Sequence, residues 1–124
     1  MIPSPYPDAV VEYLARSLER YRYTFGSERE LHEGIARVLA ETGFGYEWEA
    51  RMSATDRADF FLPSCGVVIE VKVKGSSSSV QRQLERYASL AAVRGIVLAT
   101  SRMCHPVPAR ILGKPIARAV LRSL

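Results

Sequence analysis

The 124-residue chain is poor in the residues that most often carry metal or redox chemistry: it has two cysteines, two histidines and one tryptophan. Cys65 and Cys104 lack C-x-x-C spacing, and two thiols make no disulfide framework, so a reducing cytoplasm is the simplest home. His32 sits among charged residues of a predicted helix and His105 beside Pro106; with no ligand partner at metal spacing, both read as surface histidines. Trp48 reads as core rather than as a base-stacking platform. No apolar run is long enough to span a bilayer, so no membrane partner is expected. The opening MIPSPYPDAVVEY lacks the basic and apolar blocks of a secretion signal. There is no internal repeat, and the length suits one compact domain with a single core.

What is present describes a globular protein, with 48% apolar and 24% charged residues. The net charge of +4 is mildly basic, compatible with a polyanionic partner without requiring one. The most informative stretch is Arg57 to Lys74, RADFFLPSCGVVIEVKVK, which predicts two strands joined by a tight connection. In the second, Gly66–Lys74, Val67, Ile69, Val71 and Val73 alternate with Val68, Glu70, Lys72 and Lys74. Glu70 and Lys72 therefore share one face, and strand pairing would bring Asp59 to the same edge. Two carboxylates and an ammonium at one point suit metal-dependent phosphodiester hydrolysis. Hard cations such as Mg²⁺ take carboxylate oxygens, and a lysine can orient the attacking water or neutralise phosphate. The bland alternative is an edge strand with a solvated Glu/Lys row, which blunts edge pairing.

The remaining pattern predicts helices over Asp8–Arg22 and from Ser27 to Gly43, the latter with Ser27 and Glu30 as a capping box. Leu31, Ile35, Val38 and Leu39 form the buried stripe of that helix, with Glu28 on the stripe at its first turn. On the first helix Arg16, Arg20 and Arg22 interleave with Tyr13, Tyr21 and Tyr23; such a face could touch nucleic acid, but it reads as a solvated face with the tyrosines packing at the edge of a core. Tyr46–Met52 alternates as a strand and Ser53–Asp56 as a turn. Gly75 with Ser76–Ser79 reads as a flexible loop, linker or gate. A helix follows from Val80, with Gln83 and Tyr87 one turn apart, then a buried strand Gly95–Thr100. Pro106 to Gly113 reads as irregular or one helical turn, and Ile116–Leu121 as a last strand.

Asp59 followed by Glu70-Val71-Lys72 resembles the D-(x)n-(D/E)-x-K signature of the PD-(D/E)XK nuclease superfamily, with Ala58 in place of the usual proline. The stretch ERELH opening a helix is similar to the first acidic motif of archaeal Holliday-junction resolvases, which implies Glu28, or Glu30 in the alternative register, as the helix acid. Gln83-Leu-Glu-Arg-Tyr87 resembles the Q-x-x-x-Y element of the exonuclease branch and of virus-type replication–repair (VRR-NUC) domains. The compactness is similar to small phage-encoded members. The resemblance implies an α/β (α+β) fold with a restriction-endonuclease-like core, a mixed central sheet flanked by helices, over residues 27–124, preceded by a helical extension over 1–26. It also implies a deoxyribonuclease using Mg²⁺ or Mn²⁺ in DNA recombination or repair, in a bacterial or phage-infected cell, with a homodimer as one form of assembly. Asp59, Glu70 and the Val71 carbonyl would hold the metal, with Glu28 as an outer acid, Lys72 orienting water and Gln83 assisting. Lys74, Arg82, Arg86 and Tyr87 would meet the nucleic acid. A non-catalytic nucleic-acid-binding or assembly module on the same fold is the second reading, and an ordinary interaction domain the third.

Overall fold

The computed structural model describes residues 6–74, 76–101 and 106–124. Cys104, His105 and Gly75 lie outside them. The central strands are apolar on both sides because helices cover both faces. Strands β2 (Glu47–Arg51), β3 (Arg57–Leu62) and β4 (Val67–Val71) run antiparallel, and β5 (Gly95–Thr100) and β7 (Lys114–Val120) continue parallel to β4. With β6 (Arg110–Ile111) beside β7, the six-stranded order is β2-β3-β4-β5-β7-β6. All six residues of β5, at the middle of the parallel part, are buried.

Helices α1 (Pro7–Glu19) and α2 (Glu28–Thr42) cover one face, and α3 (Ser77–Ala88) the other. Alternation along each strand divides the core accordingly. Ile69, Val97 and Ala119 pack with Leu14, Leu18, Ile35 and Leu39, whereas Val68, Ile96 and Leu98 pack with Val80, Leu84 and Tyr87. The fold is therefore three layers around a mixed sheet, the α/β class expected. No helix among the described residues is long and apolar enough to cross a membrane. Helix α1 is part of this packing: Arg16 reaches the carbonyl of Arg118, and the backbone N–H of Val120 donates to Glu19.

Caps explain the helix ends. Ser27 Oγ accepts from the Glu30 N–H at 3.1 Å, and Gly43 closes α2 in the left-handed region at φ 85°. Four expectations need correction. The first helix stops at Glu19 because Arg22–Tyr23 (β1) pairs with Arg122–Ser123 (β8), a parallel contact invisible to local periodicity. Ser76–Ser79 is no loop: Ser76 Oγ caps the Ser79 N–H at 3.2 Å, and Ser77–Ser79 form the first turn of α3. Strand β4 ends at Val71 rather than Lys74. The segment to Gly113 holds no helical turn among its described residues; it ends in a hairpin whose loop, Leu112–Gly113, has φ of 52° and 78°. Two consecutive positive φ angles are what a two-residue hairpin loop requires.

Candidate functional site

The site begins where a strand ladder stops. β3 and β4 pair from Leu62–Val67 through Phe61–Val68 to Phe60–Ile69, and no further. Beyond that point side chains replace the ladder. The N–H of Val71 donates to Asp59 Oδ2 at 2.7 Å, and the N–H of Asp59 donates to Glu70 Oε1 at 3.4 Å. Each acid thus satisfies the backbone of the strand opposite. On the other side of β3, Ala50 pairs with Ala58 and Trp48 with Phe60, while Glu49 between them has φ 55°. Ala58 packs on the α3 side and Phe60 on the α2 side, although residues two apart on a regular strand share a face. The break falls at Asp59, so this one carboxylate meets groups from both layers.

On the α3 side stands Glu70, only 3% exposed. Its Oε1 also lies 3.0 Å from the Tyr87 hydroxyl, and Oε2 lies 3.5 Å from the Lys72 ammonium. Gln83 Nε2 donates to the Tyr87 hydroxyl at 3.1 Å, while that hydroxyl, with one proton to give, also sits 3.0 Å from the Arg57 carbonyl. Burial, and next the charge of Asp59, push the Glu70 carboxyl up to about 7, against the pull of Lys72 and Tyr87. Burial also raises Asp59, opposed by the Val71 N–H. The Tyr87 hydroxyl is driven up by burial and by Glu70.

On the α2 side stand Glu28 and His32, one helical turn apart. Glu28 is exposed, and its Oε1 lies 3.7 Å from His32 Nε2. Ligand atoms of Glu28, His32 and Asp59 all lie within 4.8 Å of one another. His32 is therefore not a surface histidine: it is 5% exposed, in ring contact with Phe60 and Trp48. The missed signal was its spacing, four residues after Glu28 and three before the core residue Ile35. Its charged neighbours in sequence point to other sides of the helix. Trp48 stacks on Phe60 at 5.7 Å as a partly buried core residue, and its indole N–H donates to His32.

An open cleft of about 510 Å³ runs between the start of α2 and the segment after β4, lined by Ser27, Glu28, His32, Val71, Lys72 and Lys74 among others. A second, of about 360 Å³, is lined by Glu28, Arg29, His32, Trp48, Glu49 and Asp59. The fold thus gathers Asp59, Glu70, Val71 and Lys72, with Gln83 linked through Tyr87; Glu28 and Lys74 line the first cleft with Val71 and Lys72, Asp59 lines the second with Glu28, and Glu70 lines neither. Glu30 is engaged at the cap, with Oε1 3.3 Å from Ser27 Oγ. Arg82 and Arg86 are exposed on α3, in the opposite layer, with Arg86 paired to Asp56 at 3.0 Å. Tyr87 is wholly buried and faces Glu70. Compared with models of protein families, with curated proteins and with solved structures, the chain finds no match.

Proposed function

We propose that the chain is a divalent-metal-dependent nuclease that hydrolyses DNA phosphodiester bonds on a restriction-endonuclease-like core. The observation that carries this reading is the convergence of Asp59, Glu70 and Lys72 where β3 and β4 part. Three antiparallel strands, the helix α3 and then a parallel strand are consistent with the PD-(D/E)XK resemblance of the sequence.

The donors fit a hard cation. Two crowded carboxylates whose proton affinities are both raised are the kind of pair that a nearby positive charge relieves. Asp59 engages one oxygen with Val71, which leaves its other oxygen for a ligand. Asp59, Glu70 and the Val71 carbonyl would hold the ion, with Glu28 across the cleft as an outer acid. Mg²⁺ or Mn²⁺ bound there would acidify a water and stabilise charge on the phosphate. Lys72 would orient that water or neutralise a phosphate oxygen, a role its position 3.5 Å from Glu70 Oε2 supports. Gln83 fixes Tyr87, which in turn fixes the orientation of Glu70. Lys74 at the cleft, with Arg82 and Arg86 farther off, would hold the DNA backbone by charge, so binding should weaken as salt rises.

The test is a panel of labelled single-stranded, duplex, flapped and four-way-junction DNAs, with Mg²⁺, with Mn²⁺ and with chelator, and Asp59→Asn alongside. Metal-dependent products absent from the variant are expected, and the preferred substrate and the oligomeric state (monomer or homodimer) follow from the same preparation. Products that persist in both Asp59→Asn and Lys72→Ala would overturn the assignment. One observation favours a second reading, a non-catalytic DNA-binding or assembly module: Glu70 is nearly closed off, its Oε1 already taken by Tyr87 and Asp59. That module would bind DNA without a metal requirement. A metal-dependent rise in Tm that vanishes in Asp59→Asn would speak against it, since ligands of the folded state stabilise by mass action.

A further inference from the structure

Trp48 reaches the imidazole of His32 with a group that can only donate. Its indole N–H points at His32 Nδ1 across 3.2 Å. A ring nitrogen that accepts a hydrogen bond carries no proton, so the proton of this imidazole sits on Nε2. Nε2 is buried, has no hydrogen-bond partner among the described residues, and lies 3.7 Å from Glu28 Oε1, in the cluster that Glu28 and His32 form with Asp59.

Proximity alone would add His32 to the ligands of an ion held at Asp59, with Glu28 as the outer acid beside it. The tautomer argues the other way. An imidazole ligand needs its lone pair on the metal side and an acceptor beside its other N–H. Here the far side offers a second donor. Ligation through Nε2 would set the Nδ1 proton against the indole proton and leave a partly buried N–H without its partner. With Nε2 protonated, the same nitrogen instead offers a hydrogen bond to the carboxylates or to a water between them.

We propose that Trp48 sets the metal preference of the site: by pinning His32 as an Nε2–H donor it keeps nitrogen out of the coordination shell and leaves an all-oxygen site. The proposal rests on the metal-site reading above and adds which metals the site takes. Carboxylate and water oxygens suit Mg²⁺ and Mn²⁺, whereas an imidazole would draw Zn²⁺ and Co²⁺.

The experiment is calorimetric titration of Mn²⁺, Zn²⁺ and Co²⁺ into the wild-type chain, Trp48→Phe, His32→Ala and the double variant. Phenylalanine retains a ring to stack on Phe60 and removes the N–H. Freed of its donor partner, His32 can move its proton to Nδ1, so Trp48→Phe should bind Zn²⁺ and Co²⁺ about tenfold more tightly, with Mn²⁺ changed far less. His32→Ala should erase that gain in the double variant yet leave wild-type Zn²⁺ affinity within about twofold. A loss of about tenfold or more in His32→Ala alone would show His32 already ligating, and overturn the proposal. So would a Trp48→Phe protein that gains nothing. Long-range proton–nitrogen NMR on the unsubstituted protein reads the tautomer directly and needs no variant to fold; a proton on Nδ1 overturns the proposal. If Mn²⁺ binds and DNA is cut but Trp48→Phe shows no gain, only this proposal falls. If no divalent ion binds any version, the metal-site reading falls and takes the proposal with it.

Discussion

The two ends of the β3–β4 pair are built from the same strands and follow opposite rules. At the Leu62–Val67 end the backbones bond to each other, and the side chains, Leu62, Val67, Phe60 and Ile69, are apolar and fully buried. At the Asp59–Val71 end the backbones part and carboxylates fill the gap, each accepting an N–H from the strand opposite. The first end obtains its stability from area removed from water. The second makes two acids structural partners of the backbone, and the Lys72 ammonium joins them through Glu70 Oε2 at 3.5 Å. The two carboxylates therefore sit at the margin of a rigid core on strand residues, with Lys72 one residue past the end of β4.

The largest effect that separates the ends should come from Asp59→Asn or Lys72→Ala. Either should cut metal-dependent DNA cleavage by about a thousandfold, read on labelled substrate, while circular dichroism stays that of the native fold. Phe60→Ala, at the paired end, should do the opposite. It removes a ring with no exposed surface and should cost about 3–5 kcal/mol in denaturant unfolding, with little change in the pH behaviour of the acids.

Glu70 gives an intermediate effect with a definite sign. Burial pushes its carboxyl up to about 7 in the fold, from the ordinary 4.5 of an exposed glutamate. Between those values the folded state binds more protons, so stability in chelator is greatest at low pH and falls as pH rises through 7. Glu70→Gln should flatten that slope and raise stability at pH 8 by about 2 kcal/mol, read as Tm against pH. A profile that keeps its slope in the variant would assign the titration elsewhere. The smallest effect belongs to Arg86→Ala. Its pair with Asp56 is half exposed on the arginine side, and stability should change by less than about 0.5 kcal/mol.

Much of this comparison could be read before any coordinates. The β3 and β5 spans follow directly from composition, because apolar alternation or a continuous apolar run reports burial one residue at a time. The same alternation placed Glu70 beside Lys72, and the local chemistry of Ser27 and Gly43 marked the ends of α2. What escaped depends on partners far along the chain. Arg22–Tyr23 is a strand only because Arg122–Ser123 lies beside it. Ser76–Ser79 looked like linker because serine composition says loop, whereas a single capping hydroxyl turns it into a helix start. His32 was hidden by its sequence neighbours, and its role depends on a tryptophan from another strand. The break in β3 at Asp59 left no sequence mark at all.

The short β1–β8 contact has a consequence in time. Tyr23 donates its hydroxyl to the Leu18 carbonyl and offers its own carbonyl to the N–H of Leu124. The segment between the first two helices is thus locked by residues a hundred positions later. During synthesis the β2–β3–β4 meander can pair early, but this latch, like the docking of α1 on β7, must wait until residues 114–123 have emerged. A nascent chain halted before Arg122 would carry Asp59 and Glu70 while Arg22–Tyr23 remained unpaired, so the entry to α2 is completed only by a stretch a hundred positions later.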